Sequence, residues 1–359
     1  KNVAEIGDES MSNNARQRRG QGPGGASREQ LELNSALARC RTREEVVKLV
    51  ESPHLNVVNC VTALQKLVKL DADVTPGLLK FATERLQRDS GCQPRHVSAC
   101  LWVAAKQQQQ RGNDDLLLNK MVNAAVVRGR GFKCDWYKPQ ELSMAVWSLG
   151  KLQVGVEFAR SLALSFLPRS AEFEAQGLAN VLHGLASFKG MSDLAGLGDT
   201  VLGRLLEFNG QELSNVLSAL AKLGVEVEAE PVAAAVRAAT FTPQQLASAA
   251  WATTKLRPEL FWSLFAPLIK TRAGELGPQE LSMCSWAAQQ APEEDEEQTR
   301  QIVLVLAERA QSLAAEMSGQ QLSTVAHALA VRSRVSKGGS RLGALATTRN
   351  AEKNGANSL

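Results

Sequence analysis

Apolar and small residues recur along this chain at offsets of zero, three, four, seven and ten from a large aliphatic residue, and the whole phrase returns about every 38 residues. In the copy that begins at Leu213 the positions are Leu213, Val216, Leu217, Leu220 and Leu223. They form one stripe of a 3.6-residue period, which predicts an amphipathic helix. The phrase is clearest from Gln140 to Leu152, from Gln211 to Leu223 and from Gln244 to Leu256. Eight copies can be placed, with offset zero at Val57, Val97, Leu142, Leu178, Leu213, Leu246, Leu281 and Leu322. Such a period marks an array of helical repeats.

The helix starts are written into the sequence. Thr242-Pro243-Gln244-Gln245 supplies an N-cap, a proline at the first helical position and a capping-box glutamine. Asn209-Gly210-Gln211-Glu212 and Ser318-Gly319-Gln320-Gln321 repeat the logic, and Phe208 and Phe241 stand where a hydrophobic staple stands. A second amphipathic helix is expected after each phrase, over residues 76–87, 114–127, 156–167, 192–208, 230–239, 258–270 and 297–317. Offset six is small in most copies (Ala63, Ser148, Gly184, Ala219, Ala252, Ala287, Ala328), which lets neighbouring helices approach closely. One hairpin cannot bury its apolar face alone, so the units must stack. The expected fold is all-α, an α-solenoid of about eight helix-turn-helix repeats over residues 28–332. Residues 1–27 read as a flexible basic arm, residues 333–359 as a basic tail, and residues 29–50 as two short helices that cap the start.

Composition narrows this picture. Strand signals are nearly absent, with a single Tyr137 and no sustained alternation. The six cysteines show no CxxC spacing, and Cys60, Cys100 and Cys284 share the buried offset three, so they read as small apolar residues in a reducing compartment. No apolar run has the length of a membrane span. The net charge is +4, yet residues 331–359 carry six cations (Arg332, Arg334, Lys337, Arg341, Arg349 and Lys353) against Glu352 alone, which leaves the rest near neutral. Any basic footprint on the array is therefore local. The first residue is Lys1, so a processed form without its targeting peptide is expected.

Offsets two, five and nine lie roughly opposite the apolar stripe. Offset nine is Lys66, Lys106, Lys151, Lys222 and Lys255 in five copies, and stacking would set these lysines in a row. They can hold phosphates of an extended strand, or complement the C-terminal end of their own helix. Offset five is planar in six of eight copies: Trp102, Trp147, His183, Trp251, Trp286 and His327. These rings can stack on bases or pack between repeats. Offset two varies and includes Asn59, Asn180 and Asn215, amides suited to base edges or simply to solvent. No phosphate loop, nucleophile elbow, zinc-protease or deaminase signature is present, and Asp114-Asp115 and the acidic run 293–297 read as solvated faces. The sequence points to no catalytic residues, no metal and no cofactor.

The phrase L-S-x-x-x-W-x-L-x-K-L resembles octotricopeptide repeats and is similar to the helical repeats of FAST-kinase-like and RAP-domain proteins. Leu33 to Leu37, Glu44 to Val50 and Leu55 to Leu67 look like a leading repeat of that kind, and the likeness spans residues 30–332. The Pro-Pro-Pro-Glu-Trp signature of algal members is replaced by Lys138-Pro139-Gln140-Glu141 and Gly277-Pro278-Gln279-Glu280, and no RAP-like module follows residue 332. The resemblance implies RNA binding in an organelle, the mitochondrion before the plastid, in RNA metabolism or translation. An accessory subunit of a mitochondrial ribosome, bound to rRNA and to neighbouring proteins, is the expected role. Lys66, Lys106, Lys151, Lys222, Lys255, Arg332, Arg334, Lys337 and Arg341 would hold phosphates. The alternative is a protein scaffold with no RNA in its groove.

Overall fold

The computed structural model describes residues 26–111, 115–189 and 196–333. It is an all-α, solenoid-like repeat arrangement with no strand among the described residues. The chain divides into two compact units, Lys1–Phe166 and Leu167–Leu359, where the sequence alone suggested one uninterrupted array. The division falls at a 3-10 turn over Leu167–Glu172, which contains Pro168. A proline lacks the N–H that would continue a helix, so the helix that ends at Phe166 goes no further.

The first unit contains α1 (Arg28–Arg39), α2 (Arg43–Leu49), α3 (Val57–Lys69), α4 (Pro76–Arg88), α5 (Pro94–Arg111), α6 (Leu116–Arg130), α7 (Pro139–Leu152) and α8 (Val156–Phe166). The first helices α1, α3, α5 and α7 pack side by side, and α4, α6 and α8 form a second row. Caps fix the helix starts: Thr75 accepts from Leu78 N–H ahead of Pro76, and the Asn56 and Asn59 side chains close a reciprocal box. The last two hairpins lock through Tyr137, whose hydroxyl donates to Gly129 O at 3.3 Å. The Tyr137 ring meets Phe158 edge-on at 6.1 Å. A Cβ on Gly129 would lie 2.5 Å from the Phe158 ring, so only glycine admits this approach.

The second unit contains α9 (Ala175–Leu185), α10 (Leu197–Leu202), α11 (Gly210–Leu223), α12 (Ala229–Ala238), α13 (Pro243–Leu256), α14 (Ala266–Arg272), α15 (Pro278–Gln290), α16 (Glu296–Leu313) and α17 (residues 319–333). First helices α9, α11, α13 and α15 again pack in order. The capping boxes at Asn209 and Thr242 form as the sequence predicts, and Ser318 and Gln321 close a third. The small residues at offset six are all buried.

Two second helices differ from expectation. The helix expected over residues 192–208 is reduced, within the described part, to α10 and a 3-10 turn at Leu205–Glu207, on either side of Gly203. The helix expected over residues 258–270 splits into a 3-10 turn at Pro258–Leu260, a π turn at Phe261–Phe265 and α14. Pro267 cannot donate to the carbonyl four residues back, and a widened turn absorbs the misfit.

Arginines stitch these shortened hairpins together. Arg204 pairs with Glu207 at 2.5 Å and donates to Ser170 O at 3.1 Å. Arg272 pairs with Glu275 at 2.5 Å and donates to Phe241 O at 2.7 Å. Arg309 donates to Leu276 O at 2.8 Å. In each case a guanidinium reaches a loop carbonyl about one repeat upstream and satisfies it.

Candidate nucleic-acid interface

The outward face of each first helix carries offsets two, five and nine, as helical geometry requires. In the first unit Trp147 of α7 is half-buried, with two ammonium groups over its ring. Lys106 from α5 lies 5.2 Å from the ring centroid, and Lys151 from α7 itself lies 5.8 Å away. Trp102 is half-buried on α5. Both indoles are thus neither fully core nor free, and that of Trp147 supports two cations.

Beside Lys151 lies an open notch of about 240 Å³, lined by Gln108, Gln109 and Gln153 as well as by Lys151. Gln153 takes a left-handed backbone (φ 55°) that ends α7 and turns its amide into this corner. The notch therefore gathers one cation and several amides, of which that of Gln153 donates to Gly150 O. The sequence reading missed these glutamines because they lie beyond the repeated phrase. The run Gln107 to Gln110 was the available signal.

At the start of the first unit the row has a different task. Lys66 is half-buried and its Nζ donates to Ala38 O at 3.0 Å, so it satisfies the C-terminal end of the neighbouring helix α1. Asn59 is only 1% exposed. It accepts from Asn56 N–H at 3.3 Å and donates to Gln30 O at 2.9 Å. Expected to read bases, it is instead a buried capping residue. Thr62 at offset five donates to Asn34 Oδ1 at 2.7 Å.

In the second unit Trp251 of α13 and Trp286 of α15 lie 6.0 Å apart at 39°, with Lys255 over the Trp251 ring at 5.4 Å. Lys222 is exposed on α11, as is His327 on α17, while Asn180, Asn215 and His183 are half-buried. Arg332 departs from its expected phosphate role. The residue is 4% exposed, and its guanidinium donates to the carbonyls of Ala288 (2.7 Å), Gln289 (2.9 Å), Pro292 (3.4 Å) and Ala291. It closes the C-terminal end of α15, stacked over the Trp262 ring at 5.6 Å. Arg334, Lys337 and Arg341 lie outside the described residues.

Other reactive groups are structural. Burial pushes the Cys60 and Cys284 thiols up to about 12, which leaves them protonated and inert. Burial, reinforced by neighbouring Arg95, drives His96 down to about 4. Its Nδ1 accepts from Gln93 N–H at 3.1 Å and caps α5. No cluster of three metal-ligating side chains occurs among the described residues, and no helix there is long and apolar enough to cross a membrane. Compared with known proteins, the chain matches no family model and no curated sequence.

Proposed function

We propose that this protein binds single-stranded RNA on the outward faces of the first helices within each of its two units. Lys106, Lys151, Lys222 and Lys255 meet phosphates, the indoles of Trp102, Trp147, Trp251 and Trp286 offer stacking surfaces, and Asn180 and Asn215 meet base edges. The reading includes no catalytic step and no cofactor. The observation that carries it is the pair of lysines on Trp147 beside an amide-lined notch, a combination that suits a phosphate, a base face and a base edge at adjacent points. An organellar setting, with rRNA of a mitochondrial ribosome as the preferred target, rests on the resemblance of the repeated phrase to octotricopeptide repeats. The cations at Arg334, Lys337 and Arg341 would add phosphate contacts without sequence preference.

The near-neutral charge outside residues 331–359 favours a second reading, in which the same face clasps a protein segment. Co-purification from the native organism separates the two. Recovery of RNA that is lost when Lys106 and Lys151 are replaced by Ala supports RNA binding. Recovery of protein subunits alone, unaffected by nuclease, supports the scaffold.

A further inference from the structure

A second surface of the first unit has the same chemistry on different residues. Helices α4 and α6 lie side by side in the second row, and between them runs an open groove of about 700 Å³. Thr83 and Gln87 form one wall, and Lys120, Asn123, Val127 and Arg128 the other. No carboxylate lines it. From Lys120 to Arg128 the α6 wall is about 12 Å long at 1.5 Å per residue, room for about three stacked nucleotides at ~3.4 Å each.

The groove opens at one end onto an aromatic ladder. The Arg128 guanidinium lies 5.2 Å over Phe132, and Phe132 lies 6.2 Å from Trp136. Trp136 is 58% exposed, whereas the other tryptophans are buried or half-buried. It sits in a 3-10 turn, Cys134–Trp136, next to the fully buried Tyr137, so the indole is presented from an anchored loop. Arg130 and Lys133 are exposed on either side of Phe132. The nearby Asp135 carboxylate accepts from Ser165 Oγ at 3.1 Å, and that of Asp89 accepts from Gly91 N–H at 2.8 Å.

We propose that this groove and its aromatic loop form a second site for a short single-stranded RNA segment. A base stacks on Trp136, Lys120, Arg130 and Lys133 meet phosphates, and the amides of Gln87 and Asn123 meet base edges. An acidic helical peptide would satisfy the same cations. It would also need a continuous apolar floor, whereas Val127 is the one large apolar side chain standing exposed in this groove. The exposed indole and the amides favour nucleotides. The site uses none of the first-helix residues, so either surface can fail alone.

The test is ultraviolet cross-linking of the full chain to an oligouridylate of about twelve nucleotides, followed by peptide mapping and by affinity measurements on variants. Cross-links within residues 131–138 are expected, and Trp136→Ala should weaken binding about tenfold while Trp136→Phe keeps most of it. Because Trp136 is exposed, both variants should melt like the parent. Cross-links confined to first-helix peptides, with Trp136→Ala binding as the parent does, would overturn this site and leave the first-helix reading standing. Binding of a polyglutamate peptide that Lys120→Ala abolishes, with no cross-link in residues 131–138, would overturn it in favour of a protein partner.

Discussion

The two units solve one packing problem by different means. In the first, the second helices α4, α6 and α8 are continuous, and the row is held by Gly129 under Phe158 and by one arginine, Arg128, which donates to Asp89 O at 3.0 Å. In the second, Gly203 and Pro267 interrupt two of the second helices, and Arg204 and Arg272 at their ends reach loop carbonyls of the preceding repeat. The first-helix faces differ in parallel. The first unit places two cations on one indole, while the second pairs two indoles with a cation over one of them, Trp251. The repeats thus share their core spacing while the layer behind it and the face before it differ from one unit to the other.

Gly210→Ala should break the second unit most severely. A Cβ there would lie 2.0 Å from Thr240 O, a backbone atom of the next repeat that cannot swing aside. A loss of about 3 kcal/mol or more is expected, read by denaturant unfolding. In the first unit Trp147→Ala should cost about 3 kcal/mol, because the half-buried indole fills space between repeats. Lys151→Ala should cost under about 0.5 kcal/mol. Equal small losses would place the ring outside the packing.

Acid should separate the units next. Folded His96 titrates at about 4, below its unfolded value, so it stays neutral in the fold while the unfolded chain takes up a proton. Its contribution is constant above about pH 6.5 and is lost as pH falls toward 4, on the order of 2–3 kcal/mol. Amide exchange in α5 should quicken across that window, and His96→Gln, which keeps a capping acceptor, should flatten the dependence. Arg272→Ala should cost less, about 1 kcal/mol, through the lost partner of Phe241 O, while Glu275 stays solvated. Arg272→Lys should recover little, since one ammonium cannot serve both acceptors in the same fork.

Much of this architecture was legible in the sequence because repeats report packing directly. The stripe at Leu213, Val216, Leu217 and Leu220 is buried, and the boxes at Asn209, Thr242 and Ser318 close as read. What escaped depends on partners far along the chain. Nothing local marks Asn59 as buried, because its amide is satisfied by Gln30 O, 29 residues away. Arg332 looked like the first residue of a basic tail, and only the approach of α17 to the end of α15 makes it a cap. The groove between α4 and α6 lay outside the repeated phrase, so periodicity gave it no weight. Trp136 could have been flagged as an aromatic set among Arg130, Lys133 and Lys138.

The central claim is that cations on the first-helix faces hold RNA phosphates. Its most direct test is the salt dependence of oligonucleotide affinity for the parent and for the Lys106→Ala, Lys151→Ala, Lys255→Ala triple variant. The account predicts weaker binding and a log–log slope shallower by about two, at ~0.7 per phosphate contact on a single strand. An unchanged affinity and an unchanged slope would contradict it.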